Sequence, residues 1–402
     1  MIRRALPAAV AVVALLGATQ AEGGDKTYGP GANDAEIKIG QTMPYSGPAS
    51  AASVIGEVES AYFDMINQQG GINGRRVKFI SLDDSYNPAK TLEQTRRLIE
   101  QDDVLAIVGS FGTPTNAAIQ KYLNANHVPQ LFIQAGASRW NDPAHFPWTI
   151  PLVNLLRSEA KVFGQYILTR NPHARIAVLY QNDDFGRDYL EGLSEKLGAN
   201  ASTMIVATAA YEAGDPTIDS QIVKLRYSGA DTLLIAAYPK FAAQAIRKVA
   251  EIDWHPTRFL AQVSASVTAT LTPAGLDKSV GVMMSSSTKS VGDPQWADDP
   301  DTLSWLSFMN RYYPRGDTKN VFAFIGYSNA ALFAEVLRRC GDNLTRENLM
   351  AVATHLQGVH MPALLPGLTV NTSPTNYDPV KQMRLQRFDG RSWVLLPEVY
   401  EE

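Results

Sequence analysis

Two short segments concentrate the residue types that could hold a small anionic molecule. In Val108-Gly109-Ser110-Phe111-Gly112-Thr113-Pro114-Thr115-Asn116, the glycines let the backbone approach a ligand. Thr113, Thr115 or Asn116 can cap the helix that follows and leave free amides pointing outward. A carboxylate fits such a place, and an ordinary capped turn explains the same residues equally well. The second segment, Gln134-Ala135-Gly136-Ala137-Ser138-Arg139-Trp140, is again built of small residues after an apolar run. Two such loops facing one another imply a cleft. Farther along, Tyr180-Gln181-Asn182-Asp183-Asp184-Phe185-Gly186 and Ala236-Ala237-Tyr238-Pro239 set aromatic rings after apolar runs. Packing is the commoner use of any one such ring.

Bond-making chemistry has little to draw on. The chain contains no Gly-Lys-Ser/Thr phosphate loop, no G-x-S-x-G elbow and no H-E-x-x-H. The six histidines are scattered, and the pair His355 and His360 is spaced to splay off one helical face, so no metal site is expected. The acid pairs Asp83-Asp84, Asp183-Asp184 and Asp298-Asp299 lie beside turn residues, where solvated capping accounts for them. The loops offer Gly, Ala, Thr and aromatic rings in place of convergent titratable groups, so neither an enzyme nor a cofactor is expected. Asn-x-Ser/Thr triplets at Asn200, Asn343 and Asn371 carry no function in this reading.

The elements that must position these loops follow from length and periodicity. A chain of 402 residues with 45% apolar and 19% charged content can bury a large core and divides into two domains. Residues 1–21 have basic Arg3 and Arg4, an apolar run at 8–16 and small residues Thr19 and Ala21, the pattern of a cleaved export leader. That run is shorter than the roughly 20 residues needed to span a bilayer, and no later segment reaches spanning length without charges. Cleavage removes two cations and no acid, moving the formal charge from −4 to −6, which speaks against a nucleic-acid partner. The single cysteine, Cys340, permits no internal disulfide and reads as a buried small residue.

Residues 22–35 read as a flexible, Gly-rich lead-in. From residue 36, strand-length runs alternate with amphipathic stretches: 37–42, 54–67, 77–82, 88–100 and 104–108. In 54–67, Val54, Val58, Ala61, Tyr62, Met65 and Ile66 share a helical face, and Gly70-Gly71 ends it. A second set begins after Pro151: helices at 158–169, 187–197 and 218–227, strands at 176–180, 204–207, 232–236 and 259–262, and a helix carrying Phe241, Ala245, Ile246 and Val249 on one face. Both sets read as doubly wound parallel sheets, an α/β architecture. The last third adds helices at 303–313, 321–339 and 347–356, then two strands, 383–388 and 392–396, around an Asp389-Gly390 hairpin turn.

The run Ile37-Lys38-Ile39-Gly40, Tyr45-Ser46-Gly47-Pro48, residues 66–75 (Ile-Asn-Gln-Gln-Gly-Gly-Ile-Asn-Gly-Arg) and Asp83-Asp84-Ser85-Tyr86-Asn87-Pro88 resembles the type I periplasmic solute-binding proteins of the branched-chain amino acid branch. Val108-Gly109, Asp184-Phe185-Gly186, residues 379–383 and Phe388-Asp389-Gly390 extend the resemblance over nearly the whole mature chain. It implies two lobes joined by three crossovers, with residues 36–150 and 288–362 in the first and 151–287 and 363–402 in the second. A ligand then lies in the cleft between them. It also implies a hydroxyl from Thr113 to a ligand carboxylate, with the amides of Phe111 and Gly112 nearby, and strand-end partners at Ala135, Gly136 and Ala137. Phe185 and Tyr238 stand where aromatic rings close over the ligand, and Phe322 where the family has an apolar wall.

Amino-acid binders of the family place a carboxylate after the strand at 259–261; here the segment reads Gln262-Val263-Ser264-Ala265-Ser266, with Ser264 the candidate contact and no acid. A buried ammonium without an anionic partner costs several kcal/mol, so the expected ligand has a carboxylate or amide head and an apolar or aromatic body. The resemblance implies a periplasmic capture protein that passes its ligand unchanged to the membrane permease of an ABC importer. An amino-acid binder for the same transporter type and a ligand sensor of the same fold are the alternatives.

Overall fold

Short apolar runs buried on both faces become parallel strands, and the amphipathic stretches between them become the helices that cover those strands. The computed structural model describes residues 26–152 and 154–401, so the expected export leader lies outside the described residues. Strand β1 (Glu36–Met43), helix α1 (Val54–Gln68), β2 (Arg76–Asp83), α2 (Pro88–Glu100), β3 (Ala106–Val108), α3 (Thr113–Ala125), β4 (Gln130–Ile133) and β5 (Thr149–Pro151) wind into a parallel sheet of order β2-β1-β3-β4-β5. Helix α2 starts where the Asn87 side chain accepts from the amides of Ala89 and Lys90 and Pro88 presets the first turn.

The second sheet collects α4 (Leu156–Arg170), β6 (Ile176–Gln181), α5 (Asp184–Leu197), β7 (Ile205–Tyr211), α6 (Asp219–Arg226), β8 (Thr232–Ala236), α7 (Pro239–Glu251), β9 (Thr257–Leu260) and β10 (Met283–Ser286). The chain then returns to the first sheet's core through α8 (Pro300–Tyr312), α9 (Val321–Cys340) and α10 (Arg346–Ala353), where Trp305, Phe324, Phe333 and Leu337 pack with Ile39, Val58 and Phe63. It ends in β11 (Gln382–Phe388) and β12 (Trp393–Glu401), giving the order β12-β11-β10-β9-β8-β6-β7. Helix α9 is long and apolar enough to cross a membrane by length and composition, yet it is mostly buried in this core.

Two lobes of α/β architecture result, as the periodicity predicts. The second sheet, however, is mixed: β11 pairs antiparallel with both β10 and β12. The hairpin sets β12 antiparallel to β11, because Asp389 Oδ1 accepts from the amides of Arg391 and Ser392 while Gly390 takes φ 103°, and a tight turn joins antiparallel neighbours. Strand β10, with the sequence Met-Met-Ser-Ser, carries no strand-like alternation and is absent from the sequence reading. Residues 26–35 also differ from the expected flexible lead-in. Thr27 and Tyr28 pair in parallel with Asn343 and Leu344, and the buried Arg75 donates to Tyr28 Oη at 2.6 Å, to Asp342 at 2.6 Å and to the Asn33 carbonyl at 3.1 Å. A guanidinium that bonds two acceptors of the lead-in and one at Asp342 fixes the chain that composition alone leaves loose.

Three crossovers join the lobes: after β5, after β10 and before β11. One side chain touches all of them. Asn154, on the first, donates to the Val380 carbonyl on the third at 2.5 Å and accepts from the Ser287 hydroxyl on the second.

Candidate ligand site

Helix α3 begins at the mouth of the cleft, and its first turn is left open. No side chain caps it; Thr115 and Asn116, two of the candidate caps, instead bond back to loop carbonyls. Thr115 Oγ1 donates to Phe111 at 2.6 Å, and Asn116 Nδ2 to Ser110 at 3.0 Å and Gly112 at 2.7 Å. The loop is thereby fixed while the first turn keeps no side-chain cap, with the positive end of the helix dipole behind it. Gly112 takes φ 97°, and a Cβ there would lie 2.5 Å from the Tyr86 ring, so only glycine lets the loop pass. The Thr113 hydroxyl is buried and has no well-formed hydrogen bond among the described residues; with its own amide it faces the Tyr238 phenol.

Tyr238, just ahead of α7, brings the second lobe against this ledge. Its ring stacks on Phe185 with centroids 4.5 Å apart, and lies 5.4 Å from Tyr86 and 5.6 Å from Phe111; Phe111 in turn meets Phe322 edge-on at 6.1 Å. Rings from both lobes therefore form one apolar cluster across the cleft. Around it, between the lobes, lies a mainly apolar cavity of about 90 Å³.

Seven of the predicted residues line that cavity: Phe111, Thr113, Ala135, Gly136, Phe185, Tyr238 and Phe322. Gly112, Ala137 and Ser264 do not. Gly112 serves the turn, Ala137 is buried in the apolar cluster behind the wall, and the Ser264 hydroxyl is used up, donating to the Ala237 carbonyl at 2.6 Å. Gly136 has a packing reason as well, since a Cβ would fall 2.2 Å from the Asn154 carbonyl on the first crossover.

The second lobe does offer an acid, from the helix expected at 158–169, whose Glu159 the sequence does not connect to the cleft. Glu159 on α4 lines the cavity, where Oε2 accepts from the Tyr189 hydroxyl at 2.5 Å and Oε1 from the Gln262 amide at 2.7 Å. Burial pushes its carboxyl up to about 8, against the lowering effect of those two donors. Segment 262–266 has no acid, as the sequence shows, but its backbone holds one from α4 at the cavity wall. Gln134, Asn154, Ser286 and Thr288 add neutral polar groups to the wall. The only signal that could have found Glu159 is its place one turn into a helix that starts at a crossover, and sequence does not show where that turn points.

Outside the cavity a polar clasp closes the cleft edge. Asp188 on α5 accepts from the Ser138 amide and hydroxyl, each at 2.5 Å, and Arg139 Nη1 lies 2.6 Å from Asp184. Among the described residues, no group of three or more His, Cys, Asp or Glu side chains is placed to hold a metal ion.

Two α/β lobes, three crossovers and an enclosed cavity between facing strand ends define a two-lobed binding protein. The chain belongs to the periplasmic binding protein family, whose model matches residues 36–392. A relative called an amino acid binding protein, from Pseudomonas aeruginosa, is 25% identical over 314 residues, 74% of this chain and 78% of the relative. A Leu/Ile/Val-binding protein homolog of Brucella abortus is matched at 23% identity over 56% of this chain and 57% of its own length. Among solved structures, a branched-chain amino acid ABC transporter protein from Thermus thermophilus with bound valine superposes with TM-score 0.81 at 15% identity, over 92% of this chain and 98% of that one. An ABC transporter solute-binding protein from Rhodopseudomonas palustris in complex with 3,4-dihydroxybenzoic acid gives TM-score 0.77 at 18% identity, over 91% and 97%.

Proposed function

We propose that this protein captures a small organic acid between its lobes and delivers it, chemically unchanged, to the permease of an ABC importer, after export to the periplasm directed by residues 1–21. The observation that carries the reading is the interlobe cavity with the buried Thr113 hydroxyl, which has no well-formed hydrogen bond among the described residues, at the uncapped N-terminus of α3. A carboxylate or amide head sits there, and an apolar or aromatic body lies against Phe111, Phe185, Tyr238 and Phe322. Two superposable proteins carry valine and a dihydroxybenzoic acid, both carboxylic acids.

A thermal-shift screen over aliphatic acids, aromatic acids, amides and amino acids identifies the class. Replacing Thr113 by Val weakens binding of the hits by about tenfold or more, the loss expected when a buried hydrogen bond to a charged group is removed, and leaves the melting temperature of the free protein nearly unchanged. Wild-type affinity in that variant defeats the reading.

A second reading, an α-amino acid, is favoured by one observation, the Glu159 carboxyl in the cavity wall. In that case the ligand ammonium ionises Glu159 and pairs with it. Glu159→Gln then abolishes leucine binding, whereas an acid without an amino group binds the same variant as well as it binds wild type.

A further inference from the structure

We infer that Gln134 is a specificity-determining residue and that, with Thr113, it selects carboxylates bearing a second oxygen beside the carboxyl group, 2-hydroxy and 2-oxo acids, over the same acids without it. The inference rests on the organic-acid reading of the cavity. Gln134 is the first residue after β4, and it forms a parallel bridge with Phe111: its amide donates to Ser110 at 2.9 Å and its carbonyl accepts from Gly112 at 3.1 Å. Bridged residues of parallel segments present their side chains to the same face, and both of these line the cavity.

Gln134 is only 6% exposed, and its Nε2 has no hydrogen-bond partner among the described residues. A buried amide N–H left unpaired suffers the full loss of its hydration. Gln41, Gln130, Gln181 and Gln262 all place the corresponding nitrogen on an oxygen acceptor. The second unengaged donor of the wall, the Thr113 hydroxyl, follows directly on Gly112, the residue bonded to the Gln134 carbonyl. Two unpaired donors in the wall of one cavity call for two acceptors on one ligand. A carboxylate on Thr113 supplies the first. An oxygen on the adjacent carbon, close beside the carboxylate oxygens, supplies the second at Gln134. Ala135 and Gly136, next along the wall, have no polar side-chain atom to compete for it.

The test is calorimetric titration of the purified exported chain with two series: 4-methylpentanoate and its 2-hydroxy and 2-oxo forms, and 3-phenylpropanoate with its 2-hydroxy and 2-oxo forms. Wild type binds the oxygenated members of at least one series about 10- to 100-fold tighter than the unsubstituted acid, because an analogue lacking the oxygen leaves the buried N–H unpaired. In Gln134→Leu and Gln134→Met that ratio falls to near one while the unsubstituted acid binds at least as tightly as it binds wild type, a change of preference that a merely structural role does not produce. Thr113→Val lowers all members of a series together. A wild-type ratio near one, or a ratio that survives in both Gln134 variants, overturns the inference. If the acids of a series bind alike and all weaken in Thr113→Val, the inference fails and the organic-acid reading stands; if none of the six compounds binds, both fall.

Discussion

Glu159 and Glu59 are each fully surrounded by protein, and burial pushes both carboxyls up to about 8, well above the usual glutamate value of 4.5. Each accepts hydrogen bonds from neutral partners, Tyr189 and the Gln262 amide for Glu159, Gln41 and Asn329 for Glu59, and these only partly offset the loss of water. The folded chain therefore keeps two protons over a range in which the unfolded chain has released them. Stability is full below the unfolded glutamate value and is lost as pH rises toward about 8. Urea unfolding followed from pH 4.5 to 8.5 should show this decline, and Glu59→Gln together with Glu159→Gln should flatten it. A wild-type stability that rises across that interval would contradict the assignment. Thr113 and Tyr238 were legible as residues of interest because each stands where an apolar run gives way to a helix; Glu159 was not, because an acid in the first turn of a helix usually answers the helix dipole.

At the scale of elements, α5 and the loop after β4 act as the two halves of a catch. The sequence marks the loop 134–140 as a wall of small residues, but in the folded chain its far end does something else, because Ser138 and Arg139 reach across to Asp188 and Asp184. Asp188 also lies 3.1 Å from Arg157 and is almost wholly buried, so its removal strips the catch of its central acceptor. Since apparent affinity scales with the fraction of molecules able to close, Asp188→Ala should weaken ligand binding by about threefold to thirtyfold. The loss should fall mainly on the dissociation rate, measurable by stopped-flow release of whichever acid the screen identifies; an unchanged dissociation rate would show that the catch does not hold the closed form. The misread elements have local causes: β10 hides its strand character in Met-Met-Ser-Ser, and residues 26–35 are ordered by Arg75, some forty positions away.

For the whole molecule, the rings of Tyr86 and Phe111 packed against Tyr238 describe two lobes in contact across the cleft. Opening must separate these rings, and the three crossovers that share Asn154 are the place where the chain can bend without disturbing either sheet. Small-angle scattering should therefore report a smaller radius of gyration when a saturating ligand is added, and identical profiles with and without it would argue against closure. The sequence by itself determined the alternation of strands and helices, the two-lobed α/β class and the loops at the strand ends, because hydrophobic period and turn chemistry are local properties that each short segment carries with it. Only the tertiary structure decided that Glu159 and Gln134 face the cavity, that Gly112, Ala137 and Ser264 stand off it, and that the second sheet is mixed. Those facts depend on how elements distant in the chain pack, and no short segment encodes the angle at which a remote neighbour meets it.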